Sequence, residues 1–248
     1  MYTIRGSEMM RVGLFDSGIG GLTVLKSLIK RYPDNDYIYF GDTLNLPYGS
    51  KNKEELKKLA KKNIEFLLDK NVDLIIIACG TVSSNCLDYL KENYSIPIID
   101  IISPTIKELN NNEYNSIGVM ATEATINSHI FKNNINKTVY EIATPKLVPL
   151  IEGVSTDNLN EVIREYLEDL IDKIDVLVLG CTHYPLISLE IRKVLGNDIK
   201  LLNMADFICI DNNGKGTVEI YFSKVDELLI NNVKKILGNT IKVKEREY

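Results

Sequence analysis

The chain has 248 residues, 45% of them hydrophobic and 25% charged, with a formal net charge of -5. That balance is ordinary for a globular protein of this length, which buries roughly 70–75% of the surface its unfolded form exposes. It argues against phosphate-backbone binding, which needs clustered Lys and Arg, so no nucleic-acid partner is expected. No apolar run approaches the ~20 residues of a membrane helix. Residues 1–11 are polar and lack the apolar stretch of a signal peptide, so a cytoplasmic protein is expected, with its true start near Met9 or Met10. The four cysteines, Cys79, Cys86, Cys181 and Cys209, form no CxxC pair and there are only two histidines. No metal site is therefore expected, and a reducing compartment would keep the thiols free.

In chain order, short apolar runs alternate with helical periodicity. Residues 12–15 read as a strand, and 20–32 as a helix carrying Leu22, Leu25, Leu28 and Ile29 on one face. Residues 37–41 read as a strand, followed by a turn-rich loop through Asp42, Asn45, Pro47 and Gly49. Residues 53–69 form a charged amphipathic helix whose lysines read as a solvated face. The run 73–78 is apolar throughout, as in a strand covered on both faces. Strands are then expected at 97–102, 116–120, 138–142, 175–179, 217–222 and near 241–243. Helices are expected at 156–171 and from Val225. Repeated β-α units imply parallel sheets with helices on both faces.

One internal echo stands out. Asp73-Leu-Ile-Ile-Ile-Ala-Cys79 matches Asp175-Val-Leu-Val-Leu-Gly-Cys181, and a threonine follows each cysteine within two residues. Either cysteine alone reads as a small buried residue. Together they suggest two similar α/β domains facing each other, because ligands in open α/β sheets bind beyond the carboxyl ends of the strands. A thiol at such an end has its pKa lowered by a following helix N-terminus. Helices are expected from Val82 and from Pro185. Cys86 and Cys209 read as packing residues and His129 as incidental.

Other residues gather at predicted strand ends. Asp16-Ser-Gly-Ile-Gly-Gly21 lies between a strand and a helix, but it is not GxGxxG and its carboxylate would repel a phosphate. A ligand with an ammonium group fits better, and a simple helix cap fits equally. Composition alone reads the Tyr48-Gly49 loop as a surface turn. Thr122 and Thr125 open a helix, Glu152 follows an apolar run, and His183 stands beside Cys181, where it can stabilise a thiolate.

The motifs resemble the glutamate racemases of the aspartate/glutamate racemase superfamily. The resemblance rests on Gly13-Leu-Phe-Asp-Ser-Gly-Ile-Gly-Gly-Leu22, Tyr39-Phe-Gly-Asp42, Pro47-Tyr-Gly-Ser-Lys51, Ala78-Cys79 with Thr81, Thr122-Glu-Ala-Thr125, Pro149-Leu-Ile-Glu152 and Leu179-Gly-Cys-Thr-His-Tyr-Pro-Leu186. It implies a first domain of residues 1–100 plus 211–248, and a second of residues 101–210 inserted within it, with the site in the cleft between. Cys79 and Cys181 would be the catalytic pair, assisted by Asp16, Glu152 and His183. Asp16, Ser17, Tyr48, Gly49, Gly80, Thr81, Thr125, Thr182 and His183 would bind glutamate, without a cofactor. The implied activity is interconversion of L- and D-glutamate for peptidoglycan synthesis. The resemblance departs at Gly80, where Asn is usual, and at Asn203-Met-Ala205, where Asp-Ser is frequent. The competing readings are a racemase for aspartate or another amino acid, and a non-catalytic glutamate-binding regulator. The one protein partner expected is a second copy of the chain, in a homodimer.

Overall fold

A computed structural model describes residues 10–239 and 241–246; the start near Met9 and the polar leader lie outside these. The strands among them are β1 (Arg11–Asp16), β2 (Asp36–Gly41), β3 (Leu74–Ile77), β4 (Ile98–Asp100), β5 (Ser116–Ala121), β6 (Thr138–Ala143), β7 (Val176–Leu179), β8 (Lys200–Asn203), β9 (Val218–Phe222) and β10 (Val243–Glu245). The helices are α1 (Gly21–Arg31), α2 (Lys53–Asp69), α3 (Gly80–Asn93), α4 (Ile102–Asn111), α5 (Glu123–Asn127), α6 (Ile130–Asn134), α7 (Leu147–Ile151), α8 (Leu159–Leu167), α9 (Ser188–Leu195) and α10 (Glu227–Leu237). The strands form two sheets, ordered β10-β9-β2-β1-β3-β4 and β6-β5-β7-β8. All pairings are parallel, as the alternating pattern requires.

The second sheet repeats the last four strands of the first, β2-β1-β3-β4, strand for strand. The Asp73 and Asp175 of the sequence echo play the same part in each. Asp73 donates its N–H to the Arg11 carbonyl, and its carboxylate accepts the Arg11 N–H. Asp175 donates to the Ser116 carbonyl, and its carboxylate accepts the N–H groups of Asn115 and Ser116. At the other end, Ala78 N–H donates to Phe15 O and Gly180 N–H to Met120 O. The two sulfurs therefore emerge one residue beyond equivalent ladder bonds.

Alternation along these strands builds the cores. Leu14, Leu74, Ile76, Val119, Val176 and Val178 share one continuous core that runs from the first sheet into the second. Phe15, Ile75 and Ile77 face α2 and α3, while Met120, Leu177 and Leu179 face α8 and α9. Strands apolar on both faces are the expected consequence.

Several boundaries differ from the sequence reading. The run 97–102 breaks at Asp100, whose carboxylate accepts the N–H groups of Ile102 and Ser103 and so starts α4. The helix expected at 156–171 begins only after Asn158, which accepts from Asn160 and Glu161, and its last turn tightens to a 3-10 helix at Glu168–Leu170. The last strand lies two residues later than expected, because Val243 aligns with Ile220 and Lys244 reaches Glu219. Cys86 is buried as expected, but Cys209 is exposed, with its sulfur 3.8 Å from the Phe207 carbonyl. Among the described residues, no helix is long and apolar enough to cross a membrane.

Candidate active site

Cys79 and Cys181 line one cavity of about 110 Å³ between the two sheets. Asp16, Ser17, Tyr48, Gly49, Gly80, Thr81, Thr182 and His183 line it too. No Lys or Arg is among the lining residues, so a bound carboxylate would have to rely on N–H and hydroxyl groups.

Cys79 is the N-cap of α3, which begins at Gly80, two residues before the expected start at Val82. Its sulfur lies 3.9 Å from the Ser17 hydroxyl. Burial pushes the thiol well above its ordinary range, and the Asp16 charge adds to this. The α3 N-terminus works in the opposite direction through the Val82 N–H, without prevailing. Cys181 differs in its surroundings. A 3-10 turn, Tyr184–Ile187, intervenes before α9, so no α-helix begins at the sulfur. Its partner is His183, with Nδ1 3.6 Å from the sulfur.

His183 is buried, and burial alone would lower its pKa. Its contacts with Cys181 and Glu152 outweigh this and hold it well above the ordinary value. The Glu152 carboxylate lies 2.8 Å from His183 Nε2. Glu152 is not on the cavity wall, and its contact with His183 links it to the cavity.

Asp16 caps the helix, as one reading of its loop had it, and it leaves one oxygen for the other. One oxygen accepts the N–H groups of Gly18 and Gly21 at 3.3 and 2.8 Å, capping the start of α1. The other, Oδ1, is buried without a partner. Burial raises the Asp16 pKa, and the His183 charge opposes the rise. An unpartnered acceptor in a carboxyl that lines the cavity suits an ammonium ligand.

The Tyr48 loop is not the surface turn that its composition suggested. Tyr48 is buried, its hydroxyl donates to Asp42 at 2.6 Å and accepts from Asn63 at 3.1 Å. Asn63 lies on the face of α2 turned away from the lysines, a signal available in the sequence only as a lone Asn at a core-facing position.

Thr125 lies one layer behind the cavity. Thr122 caps α5 and lines the wall, and its hydroxyl lies 2.9 Å from that of Thr81 and 3.0 Å from that of Thr125. Sequence reasoning missed Thr144, Pro145 and Val148, which complete the wall from the second sheet. Thr144 follows β6 as Asp42 follows β2, and it bonds the buried Tyr184 hydroxyl. Only the sheet repeat could have pointed to it. Among the described residues, no group of three or more His, Cys, Asp or Glu side chains is arranged to hold a metal.

Residues 23–206 match the family of Asp/Glu/Hydantoin racemases. The glutamate racemase of Aquifex aeolicus is 38% identical over 95% of this chain and 97% of its own length. That of Fusobacterium nucleatum is 46% identical over 75% of this chain and 74% of its own. A solved structure, the Francisella tularensis glutamate racemase in complex with D-glutamate, superposes with a TM-score of 0.84 at 33% identity, covering 97% of this chain and 98% of that one. Two parallel sheets carrying a cysteine apiece into one cavity, joined to likeness over nearly the whole length, mean that the chain belongs to the Asp/Glu/Hydantoin racemase family.

Proposed function

We propose that the protein interconverts L- and D-glutamate by a two-base mechanism that needs no cofactor. One thiolate removes the α-proton from one face of glutamate, and the opposite thiol delivers a proton to the other face. The observation that carries this reading is the placement of Cys79 and Cys181 at equivalent ends of β3 and β7, lining the same cavity from two sheets. Inversion at carbon requires exchangeable protons on both sides of it.

The α-proton is very weakly acidic, so the developing carbanion needs fixed donors nearby. The first N–H groups of α3 and the hydroxyls of Thr81, Thr122 and Thr182 supply them. Asp16 Oδ1 receives the ammonium group, and Ser17, Tyr48 and Gly49 close the remaining wall. His183 positions the Cys181 sulfur through Nδ1, and Glu152 positions His183 through Nε2. Of the described residues, those up to 100 and those from 211 onward form one lobe and residues 101–210 the other, a division supported by sheet membership. The product D-glutamate would serve peptidoglycan synthesis.

The test is incubation with each glutamate enantiomer in deuterated water, without cofactor. Loss of the α-proton signal together with loss of optical activity, both abolished in Cys79→Ser and Cys181→Ser, is the expected result. Exchange with aspartate but not glutamate would move the assignment to an aspartate racemase. Glutamate binding without exchange would make the protein a binding module.

A further inference from the structure

The turn that carries Cys181 has a carbonyl that its own backbone cannot satisfy. Within that turn, Tyr184 N–H donates to Cys181 O at 3.1 Å and Leu186 N–H to His183 O at 3.0 Å. The matching donor for Thr182 O would be residue 185, and residue 185 is proline, which has no N–H. The missing donor comes from the other sheet's helix: Thr23 Oγ1, on α1, donates to Thr182 O at 2.8 Å. Thr23 is buried, and so is Thr182. The bond spans 159 positions of sequence.

The same hydroxyl also lies 2.9 Å from Gly20 O, in its own helix. A hydroxyl has one proton, so it serves one of these carbonyls at a time or shares itself between them. If α1 and the Cys181 turn separate, Thr23 keeps a partner in Gly20 O, while Thr182 O becomes open to solvent. Opening therefore exchanges this hydrogen bond instead of discarding it. At the far end of α1 the contact is of another kind. Arg31 donates to the carbonyls of Ala205, Asp206 and Ile208, and Ser27 reaches Asp206 between the two ends. Gly20, Thr23, Ser27 and Arg31 are spaced three, four and four residues apart, which puts them on one helix face. Eight residues, about 12 Å of helix, separate the charged clamp from the exchangeable hydroxyl.

We infer that Thr23 is an interlobe latch, a positioning residue that ties the Cys181 turn to α1 when the cleft is closed and lets it go at little cost when substrate enters or leaves. The Arg31 clamp is the pivot of that movement. The latch rests on the proposed racemase reading for its use, but not for its existence.

Thr23→Val keeps the shape and removes the donor; Thr23→Ser keeps the donor. Both are compared with the unsubstituted protein in two measurements. The first is amide hydrogen exchange of peptides covering residues 180–187. The second is kcat and KM for each glutamate enantiomer. The expected result for Thr23→Val is faster exchange in that segment and KM raised roughly tenfold, the scale of a buried carbonyl left without a donor. Its kcat stays within about threefold, and Thr23→Ser restores both measurements. A general folding defect would lower kcat through loss of active protein and leave KM unchanged, which would overturn the latch. Unchanged exchange in Thr23→Val, or failure of Thr23→Ser to rescue, would overturn it as well. If the unsubstituted protein does not racemise glutamate, the proposed function fails, and the exchange measurement alone still decides the latch.

Discussion

Glu152 Oε1 and His183 Nε2 lie 2.8 Å apart, while the other ring nitrogen of His183 faces the Cys181 sulfur at 3.6 Å. A buried imidazole is thus held through both nitrogens by two groups that favour its charged form. These contacts hold the His183 pKa well above its ordinary value, while burial and the Asp16 charge push the Cys79 thiol up.

Glu152→Gln should weaken that support. A histidine whose folded pKa is raised contributes stability in full below its unfolded value, here the ordinary 6.5, and loses it as pH rises through the folded value. Removing the carboxylate lowers the folded value, so the alkaline loss of stability and of activity should both begin at lower pH. At mildly alkaline pH the rate should fall roughly ten- to hundredfold, the scale of a lost charge-assisted hydrogen bond of ~1.5–3 kcal/mol. A pH–rate profile together with thermal melts across the same range reads both effects. A profile superimposable on the parent's would show that Glu152 does not hold the imidazolium.

Cys209, Cys86 and Cys79 should react with iodoacetamide in an order set by exposure and burial. Cys209 is exposed, whereas Cys79, Cys86 and Cys181 are buried. Burial pushes Cys86 up to about 11. At neutral pH Cys209 should be alkylated first, and Cys86 at least roughly a hundredfold more slowly, since thiolate reacts and thiol does not. Cys79, raised by burial and by Asp16, should also lag and gain reactivity only on the alkaline side. Peptide mass spectrometry over time gives the order. Cys79 labelling ahead of Cys209 at neutral pH would contradict the environment described for it.

The strand-end cysteines were legible in the sequence because parallel sheets leave little freedom. Once Asp73 and Asp175 open equivalent strands, the residue count to each sulfur is fixed by a rise of about 3.3 Å per residue. His183 was legible from its place beside Cys181 and Glu152 less sharply from its place after an apolar run, whereas Tyr48 ran against its local composition and stood on the resemblance. What local sequence could not give was the wall built across the cleft. Thr144 and Pro145 become neighbours of Cys79 only when the second sheet docks, and Thr125 is turned inward because Thr122 takes the capping position. The Thr23 to Thr182 bond is of the same kind, since neither residue is unusual until Pro185 is placed beside them.

Close approach makes a sharp prediction for two glycines. A Cβ on Gly20 would lie 2.4 Å from both His183 Nδ1 and Thr182 Oγ1. Gly20→Ala must therefore displace His183 or α1, and activity should fall at least roughly a hundredfold, with a stability loss of ~1–3 kcal/mol from overpacking. Gly196 ends α9 with φ at +80° and has nothing within 4 Å of its Cβ position. Gly196→Ala should cost only backbone strain of ~1–2 kcal/mol and leave kcat unchanged. Kinetics and melts on the pair separate crowding from strain. Equal activity losses in both would count against the contact between α1 and the Cys181 turn.

Gly80 poses the opposite question, because the resemblance leads one to expect Asn there. A Cβ on Gly80 would lie 2.8 Å from the Gly180 carbonyl oxygen, which is backbone and has no rotamer to swing away. Gly80 occupies the first turn of α3, where replacing glycine gains helix propensity of at most ~1 kcal/mol. Overpacking against a fixed carbonyl costs ~1–3 kcal/mol, so the loss should prevail. Gly80→Ala should accordingly lower the melting temperature and raise KM for both enantiomers, by separating the walls that carry Cys79 and Cys181. Gly80→Asn adds a side-chain amide to a cavity without Lys or Arg, but it carries the same Cβ. Its KM should also rise, by less than that of Gly80→Ala if the amide reaches the substrate carboxylate. Kinetic constants and melts for the two variants decide the matter. A Gly80→Asn protein that binds glutamate more tightly than the parent would mean that the walls part at little cost, and that the missing amide, not the close backbone contact, governs affinity here.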